Sequence, residues 1–270
     1  MRTLMVLSPL LDRYDHVLLA LDGCVYVGDA CVPGTPEAIA ALRGAGKHVM
    51  FLTNDARHSP EEYVRKLWSL GMRASLEEVV TAGAAIQYVL AEQGAGATAY
   101  VIGSPAIFRH VADAGQRILN GTGRVTGADV VVIAGHEELH FRELRDATQA
   151  VLAGAEMIAA GRDRTVPTED GLWPATGAIV AALEYATEQT ARIVGKPAPD
   201  MFRAALDRLG PGRSLVVGDR LDSDLEGAAA AGLEGAIVLS GVTTRAEAQA
   251  ASHPTPIAIA DDLHSLLLAT

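Results

Sequence analysis

HVLLALDG, residues 16–23, decides how this chain is read. A β-branched and leucine-rich run, His16–Ala20, is cut off by Leu21, Asp22 and Gly23. A short, nearly continuous apolar run suits a strand buried on both faces, and such strands belong to parallel sheets covered by helices. An aspartate just beyond the run stands where parallel sheets collect their ligand groups, outside the carboxyl ends of the strands.

Working outward, the same pattern recurs. Thr35–Ala45 reads as a helix entered through Pro33-Gly34, and Val49–Leu52 as a second strand. Ser59 caps a helix over SPEEYVRKLWSLG, with Pro60 in its first turn, Glu61 and Glu62 at its positive end and Gly71 closing it. On that helix Tyr63, Leu67, Trp68 and Leu70 read as core packing. Ser214–Val217, a helix over Asp222–Ala231, Ala236–Leu239, a helix near Arg245–Ala251 and a last pair over 256–268 repeat the alternation. The middle holds strand candidates at Ala99–Ile102, Val130–Ile133 and Met157–Ala159, and a turn-rich loop at Asn120–Gly127. The expected class is α/β. Residues 1–82 and 192–270 are expected to build a Rossmann-like core with a parallel sheet, and residues 83–191 an inserted α/β cap.

Composition narrows the function. The chain has 270 residues, 49% hydrophobic and 20% charged, as expected of a globular protein. Its net charge is −11 and no Lys/Arg run makes a basic face, which argues against a nucleic-acid partner. An acidic protein that takes an anionic substrate needs local positive charge, a metal or backbone N–H groups at the site. The two cysteines, Cys24 and Cys31, make no metal quartet and read as reduced thiols. No stretch approaches a membrane span, and the opening residues lack the layout of a secretory signal, so a cytoplasmic location is expected.

Four segments follow strand-like runs: Ala20-Leu21-Asp22-Gly23, Thr53-Asn54, Gly195-Lys196-Pro197, and Gly218-Asp219-Arg220-Leu221-Asp222-Ser223-Asp224. Singly, each has a plain reading as a turn, a helix approach or a solvated charge. Together they would bring carboxylates, a hydroxyl, an amide and a lysine to one sheet edge, a set that suits phosphoryl transfer. Carboxylates hold Mg²⁺, Lys196 neutralises phosphoryl oxygens, Thr53 and Asn54 hydrogen-bond them, and Asp22 exchanges protons with the leaving alcohol and with water.

This arrangement resembles the haloacid dehalogenase superfamily of phosphatases, and within it the NagD-like group with a large α/β cap. The resemblance rests on the four segments, on Tyr26-Val27-Gly28, Pro33-Gly34 and FLTN at Phe51–Asn54, and on GKPAPD at Gly195–Asp200 and GDRLDSDLEGA at Gly218–Ala228. It implies a Mg²⁺-dependent phosphatase working through an aspartyl-phosphate on a small phosphorylated metabolite: a sugar, polyol or nucleotide monophosphate. Carried over by position, Asp22 is the acid/base and its carbonyl a magnesium ligand. Thr53 and Asn54 bind the phosphoryl group, Lys196 neutralises charge, Asp219 holds the metal, and Asp224 supports the metal sphere or Lys196. Asp222 is left open between a site role and a helix cap. Asp55-Ala56-Arg57 departs from the asparagine and serines of relatives. In the cap, the loop Gly161–Gly177 is expected to set the substrate, with Arg162, Asp163, Arg164 and Trp173 as candidates for contacting the leaving group; solvated charges and a core tryptophan are the competing reading. An oligomer formed through the cap stays open.

The attacking aspartate of the resemblance is absent. Its position is Ala20, so the chain is expected to be inactive or nearly so. Two accounts compete: an alanine introduced to trap substrate, and a natural non-catalytic binder. The survival of Asp22, Lys196, Asp219 and Asp224 favours the first. A phosphotransferase, passing the same phosphoryl group to a second alcohol, is a further alternative.

Overall fold

The structure, a computed structural model, describes residues 6–168 and 171–269. Its strands run in chain order as β1 His16–Ala20, β2 Tyr26–Val27, β3 Ala30–Cys31, β4 His48–Thr53, β5 Val79–Thr81, β6 Thr98–Ile102, β7 Arg117–Ile118, β8 Val130–Ile133, β9 Glu156–Ala159, β10 Thr165–Thr168, β11 Gly171–Pro174, β12 Arg192–Ile193, β13 Ser214–Gly218, β14 Glu234–Val238 and β15 Ile259–Ala260. They form a six-stranded sheet in the order β15-β14-β13-β1-β4-β5, a five-stranded sheet in the order β12-β9-β8-β6-β7, and the hairpins β2-β3 and β10-β11. The chain divides into two compact units. The first is Met1–Thr53, Pro60–Val80 and Lys196–Thr270; the second is Asn54–Ser59 and Thr81–Gly195.

In the first unit β1 is buried along its whole length and pairs in parallel with both β4 and β13. Burial on both faces is why it carries no polar alternation. Its Val17 and Leu19 share a core with Ile39 and Leu42 of helix Thr35–Gly44 and with Leu67 of helix Pro60–Ser69. Each fully buried aliphatic side chain of this kind contributes about 1.5–3 kcal/mol. The helix Thr35–Gly44 begins at Gly34, whose φ of 78° and contact with His264 (2.7 Å from a Cβ placed there) both require glycine. In the second unit Val131, Ile133, Met157 and Ala159 pack against Ala147 and Val151 of helix Phe141–Leu152 and Ile179, Val180 and Leu183 of helix Thr176–Thr187.

The structure departs from the sequence reading in three places. Trp68 is not core: it is 61% exposed, while Tyr63 and Leu67 are buried. At 100° per residue, Trp68 falls off the i, i+4, i+7 stripe of Tyr63, Leu67 and Leu70, and its indole N–H donates to the Ala74 carbonyl at 2.8 Å. The expected helix over Asp222–Ala231 is a π turn at Leu221–Leu225 followed by a short α-helix, Glu226–Ala230. Arg192–Ile193 pairs with β9 in the second sheet, so the chain passes into the first unit at Lys196. No helix among the described residues is long and apolar enough to cross a membrane.

Candidate active site

In-register parallel pairing puts the carboxyl ends of four neighbouring strands, β14, β13, β1 and β4, at one edge. Ala20 lies opposite Leu52, Leu19 opposite Val217, and Gly218 opposite Ile237. The residues after β1, β13 and β14, and Thr53 at the end of β4, are therefore gathered there by topology alone. Ala20 is the last residue of β1 and its side chain is buried; Thr53 is likewise buried.

The turn after β1 is held by its own backbone. Val25 N–H donates to the Leu21 carbonyl at 2.8 Å, and Gly23 N–H to the Tyr26 carbonyl at 2.8 Å; Asp22 and Tyr26 form a β-bridge. Gly23 has φ +77°, and a Cβ there would overlap the Asp219 carboxylate. The Asp22–Gly23 turn and Asp219 are thus packed directly on one another, and only glycine lets them approach.

Asp219 is 3% exposed. Its Oδ2 accepts the Val242 N–H at 2.9 Å. Burial, and then the nearby Asp224 charge, push its pKa above the usual carboxylate value. Asp224, 2% exposed, is saturated: Oδ1 accepts Lys196 Nζ–H at 2.6 Å, and Oδ2 accepts the N–H groups of Asp219 and Arg220, both at 3.1 Å. The same carboxylate reaching back to those N–H groups accompanies the π turn, and Gly218 is required because a Cβ there would overlap Asp224. The side chain of Lys196 is largely buried as well, 8% exposed. A buried pair of this kind is costly to break, because the survivor is a stranded charge. Asp222 lies outside the cluster in an exposed pair with Arg220, which donates to its two oxygens at 3.1 Å each.

Two features qualify the edge chemically. Asp219 is a buried carboxylate, a hard oxygen donor, beside a second negative charge, and such a group fits a divalent cation that keeps most of its waters. Among the described residues no group of three or more His, Cys, Asp or Glu gathers as a metal cluster, and Asp224 is committed to Lys196. Cys24, next to this edge, is no substitute nucleophile: its thiol faces the Val217 carbonyl at 3.7 Å, and burial, with Asp224 and Asp219 nearby, pushes its pKa well above the usual thiol value.

The sequence reading missed the segment after β14. Ser240 Oγ–H donates to the Gly23 carbonyl at 2.7 Å, Val242 N–H holds Asp219, and a Cβ on Gly241 would overlap the Asp219 carboxylate. The signal was present: Ser240-Gly241 follows an apolar run just as the other four segments do.

The remaining candidates lie in the second unit. Asn54 packs its Oδ1 against Gly195, 2.9 Å from a Cβ placed there. Asp55 accepts Arg57 Nε–H at 2.9 Å on one oxygen and has His58 Nδ1 at 2.6 Å on the other, a tight local turn. Arg162 donates to both oxygens of Glu184, at 2.8 and 2.6 Å, and this pairing holds the arginine above and the glutamate below their usual pKa values. Asp163 and Arg164 are exposed, and their carbonyls accept Gly177 and Ala175 N–H. Trp173, on β11, is 36% exposed and is not a core tryptophan. Within the Gly161–Gly177 segment, residues 169 and 170 lie outside the described residues.

A family described as haloacid dehalogenase-like hydrolase matches residues 17–117, and a second, HAD-hydrolase-like, matches residues 193–266. A D-glycerol 3-phosphate phosphatase of Mycobacterium tuberculosis is 38% identical over 257 residues, 94% of this chain and 71% of that protein. The chain belongs to the haloacid dehalogenase-like hydrolase family. An acid sugar phosphatase of Staphylococcus aureus is 31% identical over 253 residues, 93% of this chain and 96% of that protein. The crystal structure of a glycerol phosphate phosphatase from M. tuberculosis in complex with magnesium superposes with a TM-score of 0.87 at 38% identity, covering 94% of this chain and 77% of that one. The haloacid dehalogenase-like fold, with its α/β architecture and NagD-like phosphatase relatives, is therefore shared along nearly the whole chain.

Proposed function

We propose that the carboxyl edge of the first sheet is a phosphate-ester site of the Mg²⁺-dependent phosphatase kind, and that Ala20 leaves it without its attacking group. The observation that carries this is the packing of Asp219 onto the Asp22–Gly23 turn beside the buried Lys196–Asp224 pair. Asp219 and the Asp22 carbonyl are assigned to the metal, which supplies charge neutralisation for the phosphoryl oxygens when bound. Lys196, fixed by Asp224, neutralises a further phosphoryl oxygen, and the Thr53 hydroxyl and Asn54 donate hydrogen bonds to the group. Asp22 gives a proton to the leaving alcohol. An alanine methyl cannot attack phosphorus, so no covalent intermediate forms and the chain binds ester without turning it over.

The relatives named D-glycerol 3-phosphate phosphatase and acid sugar phosphatase support a small polyol or sugar phosphate as the ligand. The second unit, with Thr81–Gly195 as its main part, is assigned as the cap, and Arg162, Asp163, Arg164 and Trp173 as the side chains that set the substrate. Intactness of every other central group favours an alanine introduced at position 20, which the codon in the encoding gene decides.

The test is a phosphate-release screen with Mg²⁺ over polyol, sugar and nucleotide monophosphates, run on the chain and on Ala20→Asp. The reading requires Ala20→Asp to release phosphate from a member of the first two classes and the unaltered chain to lag by several orders of magnitude. Equal rates would remove position 20 from the chemistry.

A further inference from the structure

The hairpin β2-β3 follows the Asp22 turn directly; its Tyr26 is packed in the core of the first unit, and Lys66 lies over the ring. Lys66, on helix Pro60–Ser69, places its Nζ 4.2 Å from the centroid of the Tyr26 ring and 3.4 Å from Asp29 Oδ1. The two contacts differ in weight. Asp29 is fully exposed, so its ion pair is screened and weak. Tyr26 is 1% exposed, and an ammonium at this range over a desolvated ring is well inside cation–π distance.

Tyr26 is also the residue that closes the Asp22 turn. Its carbonyl accepts Gly23 N–H at 2.8 Å, its N–H donates to the Leu21 carbonyl at 3.3 Å, and it bridges Asp22. Its partner across the hairpin is Cys31. From this we infer that Lys66 is a positioning residue for Asp22. It pins the Tyr26 ring, the Tyr26 backbone sets the turn from Leu21 to Gly23, and that turn aims Asp22 and packs Gly23 on Asp219. Neither Lys66 nor Tyr26 touches the reacting atoms. The catalytic part of the inference rests on the phosphatase reading above; the mechanical part does not.

The experiment has two arms, each with Lys66→Met, which keeps the stem without the charge, and Lys66→Arg, which restores a cation over the ring. In the first arm, amide hydrogen exchange is read at Gly23 and Tyr26 in the chain as it is. Lys66→Met is expected to speed exchange at these two amides about tenfold, leaving the amides of β1 and β13 unchanged, and Lys66→Arg to bring it back. In the second, the same changes are made on Ala20→Asp with a phosphate ester. Lys66→Met is expected to lower kcat about tenfold with KM held within about twofold, since misplacing an acid/base group by a fraction of an ångström acts on the chemical step. Unchanged exchange in Lys66→Met overturns the inference, and so does a uniform rise across the first unit, which would mark Lys66 as a stabiliser only. An intact kcat with altered exchange overturns the positioning role. If Ala20→Asp hydrolyses no ester at all, the phosphatase reading fails, and the exchange arm still judges the latch by itself.

Discussion

The two units use the same architecture to different ends. Each is a parallel sheet with helices packed on apolar strands. In the first, the carboxyl edge carries buried Asp219 and Asp224, with the Lys196 side chain held against Asp224. In the second, the buried polar side chains among the described residues are neutral, such as Thr98, Ser104, Gln116 and Thr187, and the charges stay outside. Burying a carboxylate is expensive unless it is paired or holds a cation. On the proposed function, the unit that does so at its strand ends holds the site, and the other is a scaffold for its loops. The fold is common to both regions; the buried charge is what distinguishes them.

The comparison predicts unequal ion pairs. Breaking Lys196–Asp224 by Asp224→Ala strands a buried ammonium and should cost about 3–5 kcal/mol. Breaking the exposed Arg162–Glu184 pair by Arg162→Ala should cost under about 1 kcal/mol. The tryptophans make this measurable region by region, since Trp68 lies in the first unit and Trp173 in the second. Denaturation followed by fluorescence, with one tryptophan at a time replaced by phenylalanine, reads each. Similar costs for the two pairs would erase the distinction between site and scaffold.

Metal should act on one region only. Saturating Mg²⁺, at about 100 times its Kd, should stabilise the first unit by about 2.7 kcal/mol. Asp219→Asn should abolish that gain. In chelator the same substitution should raise the melting temperature of the first unit by a few degrees, because it removes a buried charge whose pKa is already pushed up. A Mg²⁺ shift that survives Asp219→Asn places the metal elsewhere.

The smallest effect is one of sign with pH. Asp219, raised in the folded chain, costs stability above the ordinary carboxylate range. That cost disappears as pH falls through its raised value, so the first unit gains there. Glu184, depressed by Arg162, contributes stability that is present above the ordinary carboxylate range and lost as pH falls through its lowered value. Acid titration of Asp219→Asn and Glu184→Gln, each against the parent, should show these opposite trends. The same sign for both would contradict the contrast.

Much of the α/β fold was legible in the sequence because buried parallel strands leave an unbroken apolar run. His16–Ala20 and Val130–Ile133 have the bounds the sequence suggests. Amphipathic period located helix Pro60–Ser69, yet it placed Trp68 inside, since residue type says core while angle around the helix says rim. The π turn at Leu221–Leu225 was hidden because what accompanies it, Asp224 reaching back to the N–H groups of Asp219 and Arg220, is a contact and not a pattern. Ser240–Val242 and the Lys66–Tyr26 latch were hidden for the same reason. They join positions far apart in sequence through ordinary residue types.

The central claim is that the chemistry of this edge is missing one carboxylate, at position 20. Rapid-quench mass spectrometry of Ala20→Asp, mixed with a polyol phosphate and Mg²⁺, tests it directly. The account predicts a phosphoryl group on residue 20 during turnover and none on the unaltered chain under the same conditions. Turnover by Ala20→Asp with the phosphoryl group on another residue, or turnover by the unaltered chain at the same rate, would contradict it.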